Sequence, residues 1–292
     1  MEKTEVFAEG LHLPECPRWH DGVLWISDMW GNAVYRYDAD GSRHEVQRFD
    51  TDEDPGGLGW LPDGSLLVVG MEGRVVYRLD PSGAREVHAD LKAHAPWQCN
   101  DMIVSADGNA YVSQFGYDLW GGTTERETTE LLRVKADGAV DVVAEDLSVP
   151  NGMALSDDGS TLYVAECGRS RVSCFDVEGN GALRNGRVFG DLAPAADARI
   201  PVSPPDGICL DEAGAIWAAD PIGRRVVRAE PGGRITDEIP LDIDPLAVVL
   251  GGQDRRTLFI CASGQHHKPA RVPEAMGRID VVTVDVPGAG RP

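Results

Sequence analysis

Basic residues are scarce in this chain. Twenty-seven Lys and Arg face 48 Asp and Glu, leaving a formal net charge of −21 over 292 residues. A surface of that sign repels nucleic acid and anionic membranes, which are bound through basic patches. Long apolar runs are missing too: none approaches the ~20 residues that span a bilayer. Helical periodicity is nowhere persuasive. The six cysteines, Cys16, Cys99, Cys167, Cys174, Cys209 and Cys261, contain no C-x-x-C pair. The N-terminus, Met1-Glu2-Lys3-Thr4-Glu5, leads straight into a strand-like segment with no export signal. The expectation is a soluble cytoplasmic protein with free thiols, no disulfide framework and no nucleic-acid or membrane partner.

What the chain does have is a repeat. With 34 Gly, 19 Pro and 42% hydrophobic residues, it can supply many turns around a packed core. The segments LWISDM from Leu24, LLVVGM from Leu66, AYVSQF from Ala110, LYVAEC from Leu162, IWAADP from Ile216 and LFICAS from Leu258 are versions of one strand. Each follows a turn residue (Gly22, Gly64, Gly108, Gly159, Gly214 and, in the sixth copy, Asp254) at intervals of roughly 40 to 55 residues. Strand-rich units at that period predict an all-β, six-bladed β-propeller with four-stranded antiparallel blades around a central channel, one domain over 1–292. The sixth copy lacks a fourth strand of its own, whereas TEVFAEG at the N-terminus has no repeat. The N-terminal strand is therefore expected to complete the last blade and close the ring.

Counting back eight residues from the turn glycines of repeats two to five meets Gly56, Asn100, Asn151 and Asp206. In repeat one Glu15 lies seven back, a one-residue slip. Equivalent positions of a propeller converge on its axis. Two acids and two amides meeting there are hard oxygen ligands suited to one divalent cation: calcium, magnesium, manganese or, through carboxylates, zinc.

PECPRW at Pro14, CND at Cys99, VPNGMALS at Val149 and PPDGICLD at Pro204, in this order and register, resemble the senescence-marker-protein, gluconolactonase and regucalcin family of six-bladed propellers. The resemblance implies metal-dependent lactone hydrolysis, with Glu15, Asn151 and Asp206 holding the cation and Asn100 facing cation and substrate. Asp118 lies near a position of substrate contact. Two departures stand out. Gln98 occupies a position where sugar-lactone members often carry Arg, and an amide grips hydroxyl-rich substrates with fewer, neutral hydrogen bonds. Cys16 stands where Gly commonly follows the Glu.

The chemistry is consistent with the residue types alone. A bound cation polarises a lactone carbonyl and acidifies water, and a neighbouring carboxylate accepts the proton. Asp206 is favoured over Glu15 as that base. The substrate is a small lactone or ester, sugar-like or more apolar, acted on by a monomer or small homo-oligomer. A regulatory metal-binding propeller and a non-hydrolytic isomerase or lyase are the alternatives. Asp101 is read as a turn or inter-blade hydrogen-bonding residue, Glu166 and Asp220 as paired inter-blade acids, Trp97 as packed between blades, and His266-His267 as a surface loop. Pro194 to Pro205 is a connection placed to overhang the channel.

Overall fold

Strand, tight turn and strand, repeated, give each unit a four-stranded antiparallel sheet, and six such sheets follow one another along the chain. The computed structural model describes residues 3–51, 53–119, 121, 128–194, 202–264 and 274–290. Blade one runs outward through Pro14–His20, Val23–Asp28, Ala33–Tyr37 and Arg43–Arg48. The other inner strands are Pro55–Trp60, Cys99–Val104, Pro150–Leu155, Ile208–Leu210 and Asp244–Gly251. This is the predicted six-bladed propeller. Among the described residues the helical content is one 3-10 turn, Cys167–Arg169, and no helix is long and apolar enough to cross a membrane.

Second strands such as Leu66–Gly70 and Ile216–Asp220 are buried along their whole length. A strand covered on both faces reads as a continuous apolar run rather than an alternating one. Leu67 and Val68, both wholly buried, each stabilise the fold by about 1.5–3 kcal/mol relative to exposure. Outermost strands such as Arg85–Asp90 face solvent and are correspondingly polar.

Closure follows the expectation. Glu5–Leu11 pairs antiparallel with Gly277–Thr283, Leu11 opposite Gly277 and Val6 opposite Asp280, and supplies the fourth strand of blade six. All six cysteines are free.

The one-residue slip at Glu15 has a local cause. His20 pairs directly with Val23, so Asp21 and Gly22 alone make the turn, at φ +51° and +78°. Positive φ at both central residues is a type I′ hairpin, which an Asp-Gly pair forms readily. In blade two Trp60 pairs with Leu66 across a longer loop, which restores the offset of eight.

Blade two leans closely on blade three. A Cβ on Gly57 would lie 2.1 Å from the Met102 nitrogen, and one on Gly56 would lie 2.5 Å from the Asn100 carbonyl oxygen and 3.1 Å from Met71 Cγ. The glycines therefore admit a backbone contact between blades. Gly56 leaves no gap in the channel wall, because the Met71 side chain lies against it.

Candidate functional site

The predicted column sits at the starts of the inner strands for Glu15, Gly56, Asn100 and Asn151, and two residues before Ile208–Leu210 for Asp206. Irregularities in pairing follow it directly: between Glu15 and Arg18, Pro55 and Leu58, Cys99 and Met102, Pro150 and Met153, and Pro245 and Ala247. A bulge twists a strand and re-aims its side chains, here toward the axis. In blade one the bulge places Cys16 at φ +49°. That left-handed backbone costs a non-glycine residue of order 1–3 kcal/mol, and it accounts for a glycine being the usual residue after the Glu.

The four polar residues meet. Asn100 Nδ2 donates to Asn151 Oδ1 at 2.8 Å, and the Asn151 side chain lies near enough to the Asp206 carboxylate to favour its charged form. Glu15 accepts the Cys16 backbone N–H at 3.1 Å on Oε2 and lies within electrostatic range of Asp206. Burial, then the Asp206 charge, push the Glu15 carboxyl well above its usual range. Burial, then the charge of Asp101, raise Asp206 to about 8. Asp206 Oδ1 is buried with no hydrogen-bond partner. An acceptor oxygen covered by protein and left without a donor is costly, and it fits a site that takes a cation.

Beneath the column Asp101 makes the inter-blade hydrogen bond expected of it, to an arginine that the sequence did not single out. Arg18 extends from blade one past blade two to blade three, where Nη2 donates to Asp101 Oδ1 at 2.6 Å and to the Met102 carbonyl at 2.5 Å. Nε donates to the Leu58 carbonyl and Nη1 to that of Pro17, at 3.1 and 2.8 Å. The pair is buried, with side chains 5% and 6% exposed. Asp101 also accepts the Met102 N–H at 2.7 Å, and its charge helps to raise the nearby Cys16 thiol. Glu15, Asp206 and Asp101 against one guanidinium leave two negative charges uncompensated when ionised, the charge of one divalent cation. The signal was available: Arg18 opposes Trp25 where the other blades place Gly59, Ile103, Ala154 and Cys209 opposite their equivalents, a column otherwise small or apolar.

Gln98 is buried and held at both ends, Nε2 donating to Glu72 Oε2 and Oε1 accepting the Leu119 N–H, each at 3.3 Å. It positions the loop at Leu119. Asp118 accepts the Gly121 N–H at 2.9 Å within that loop. Trp97 is half-buried. Glu166 and Asp220 are wholly buried acids, and Glu166 in blade four bridges to blade three through Ser148, as expected of an inter-blade acid. Glu166 accepts from Ser148 N and Arg171 Nε at 3.0 and 2.7 Å, and Asp220 from Ser203 Oγ and Gly223 N at 2.7 and 2.8 Å. The mouth is otherwise apolar: Leu13, Met29, Trp30, Met71, Phe115 and Leu246 belong to one buried cluster with Cys16 and Cys99. Burial raises both thiols, Cys99 to about 12, so neither is a ready nucleophile. Among the described residues no three His, Cys, Asp or Glu side chains gather as a metal site, and the oxygens of the column come from amides as well as acids. His266, His267 and residues 195–201 of the Pro194 to Pro205 connection lie outside the described residues.

A pH dependence follows. The two carboxyls keep protons in the cation-free fold that they release on unfolding, so the folded state binds more protons between the ordinary carboxylate range and about 8. Stability of the chelator-treated protein is therefore expected to fall as pH rises through that window, by up to about 1.4 kcal/mol per pH unit for each group. Saturating divalent cation should flatten the slope. Thermal unfolding from pH 5 to 8, with and without chelator, checks this, and identical profiles would contradict it.

Residues 13–264 match the model of the SMP-30/Gluconolactonase/LRE-like region. The chain is 29% identical to a 6-deoxy-6-sulfogluconolactonase of Pseudomonas putida, over 96% of this chain and 94% of that one. It is 28% identical to a pentonolactonase of Haloferax volcanii, over 90% and 86%. The solved structure of a calcium-binding protein, regucalcin, from Agrobacterium tumefaciens superposes with a TM-score of 0.78 at 20% identity, covering 100% and 96%.

Proposed function

The chain belongs to the SMP-30/gluconolactonase/LRE-like family, and on that premise we propose that it hydrolyses a lactone with one divalent cation held at the mouth of its central channel. The observation that carries the reading is the buried, partnerless Asp206 Oδ1 within the Glu15, Asn100, Asn151 and Asp206 column. Glu15, Asn151 and Asp206 would hold the cation, and Asn100 orients Asn151 and faces the substrate. When bound, the cation supplies Lewis acidity to the lactone carbonyl and to water. Asp206 takes the proton of the attacking water on the carboxylate oxygen turned away from the cation, as the water oxygen adds to the carbonyl carbon. Asp206 then returns that proton to the ring oxygen as the ring C–O bond breaks, and the open hydroxy acid leaves. Glu15, pinned by the Cys16 N–H, is the less mobile acid and serves as anchor.

Gln98 is engaged with Glu72 and Leu119, and Met71 covers the Gly56 side of the channel. The pocket therefore favours a lactone whose substituents are more apolar than a polyhydroxylated sugar. Proton release from sugar and aliphatic lactones, with chelator-stripped protein reconstituted with calcium, magnesium, manganese or zinc, tests both statements. Saturable hydrolysis restored by cation, with aliphatic lactones turned over at least as well as gluconolactone, is the expected result. Tight cation binding without turnover of any lactone would overturn hydrolysis and leave a binding or non-hydrolytic role.

A further inference from the structure

The opposite end of the propeller, where inner strands turn into second strands, holds a cavity of about 220 Å³. Its walls include Trp19, His20, Trp60 and Val104, together with Arg18 and Arg255. Trp60 is fixed by stacking on His20, with ring centroids 3.8 Å apart, and by an edge contact with Trp25 at 5.1 Å. Trp19 stacks on Phe259 at 5.6 Å. The apolar walls are therefore rigid. The C-terminal segment closes one side: Ala289 N donates to the Leu210 carbonyl at 3.0 Å, and Gly290 lines the cavity.

Arg255 is the unusual member. It lies in the turn between Asp244–Gly251 and Thr257–Ser263, at φ +59°. Its Nε is buried with no acceptor, and among the described residues its guanidinium makes no ion pair. Burial disfavours its charge, and Asp157 and Glu212 offset this only from a distance. Arg255 is half-buried, and its Nε is covered by protein without an acceptor, which costs free energy that a bound acceptor would recover. Arg18 cannot serve in its place, since Nε, Nη1 and Nη2 already donate to Leu58, Pro17, Asp101 and Met102.

We propose that this cavity is a second ligand site, which takes a small carboxylate gripped by Arg255 with its apolar body against Trp19, Trp60 and Val104. A guanidinium fork matches a carboxylate in shape and charge, and rigid aromatic walls suit a compact apolar body. A dianion such as phosphate is disfavoured by Asp157 and Glu212 and by the net charge of −21. The site does not depend on the chemistry at the other mouth.

Tryptophan fluorescence of the intact protein reports directly, because two tryptophans line the cavity. Benzoate, neutral benzamide and inorganic phosphate are titrated into the wild type, Arg255→Gln and Arg255→Lys. Saturable binding of benzoate is expected, with benzamide and the Arg255→Gln variant each weaker by about tenfold or more, Arg255→Lys intermediate, and phosphate weaker than benzoate. Both variants are expected to fold with an unchanged or raised Tm, since Arg255 has no partner to lose. Undiminished benzoate binding to Arg255→Gln would place the ligand elsewhere and overturn the proposal. Equal binding of benzamide, tighter binding of phosphate, or no saturation in the wild type would overturn it too.

Discussion

Asp206→Asn is expected to lower kcat for lactone hydrolysis by about 100- to 10,000-fold, the usual contribution of a positioned general base, while cation affinity falls far less. The amide keeps an oxygen that can face a cation, but it cannot take a proton. Isothermal titration with the preferred cation, beside steady-state kinetics, separates the two quantities. Losses of similar size in both would reduce Asp206 to a ligand and move the base to Glu15. The same substitution should stabilise the cation-free fold. Asp206 is pushed up to about 8 by burial and the Asp101 charge, which is the mark of a carboxylate held where the fold disfavours its ionisation. A higher Tm for chelator-treated Asp206→Asn, alongside lost turnover, would show stability surrendered for function at this residue.

Arg18→Met is expected to destabilise the protein by about 3–5 kcal/mol, because it leaves Asp101 buried and uncompensated. The pair is 5% and 6% exposed and spans three blades, so little water can take the arginine's place. Arg18→Met combined with Asp101→Leu should recover most of the loss, since an apolar replacement of a whole buried pair is often neutral. Urea unfolding of the four proteins in that cycle gives the coupling energy directly. A second readout concerns charge rather than packing: if the fold persists, cation affinity should rise in Arg18→Met and fall in Asp101→Leu. A loss below about 1 kcal/mol, the range of solvated surface pairs, would show that the ion pair is not desolvated.

The ring and its column were legible because both are written in spacing. Turn glycines recur once per blade, so residues at a fixed offset must share a place around the axis, and Asn100, Asn151 and Asp206 could be aligned without coordinates. Glu15 needed one correction, and the two-residue Asp21-Gly22 turn supplies its reason. Asp101 was legible as an inter-blade hydrogen-bonding residue, but its partner Arg18 escaped because the contact passes a whole blade, and repeat alignment compares like positions rather than unlike ones. Met71 escaped for a similar reason: a glycine in the column suggests a gap, whereas a neighbouring loop fills it. Gln98 could be recognised as a departure from the family pattern. Its ties to Glu72 and Leu119 depend on a loop conformation that no local pattern encodes.

Pairing of Glu5–Leu11 with Gly277–Thr283 has a consequence for how the protein is made. Glu5–Leu11 leaves the ribosome before the rest of the ring and is the last strand of the ring to find its partner, since the other blades must be synthesised before blade six can form. At about 5–20 residues per second the delay is on the order of tens of seconds. Throughout that time one open strand edge is available to other chains. A nascent chain stalled just after blade five would present five blades and an unpaired N-terminal strand, a species prone to join its neighbours on the polysome. The acidic character of the chain, −21 overall, would then act during translation as much as after it, keeping unfinished rings apart by mutual repulsion.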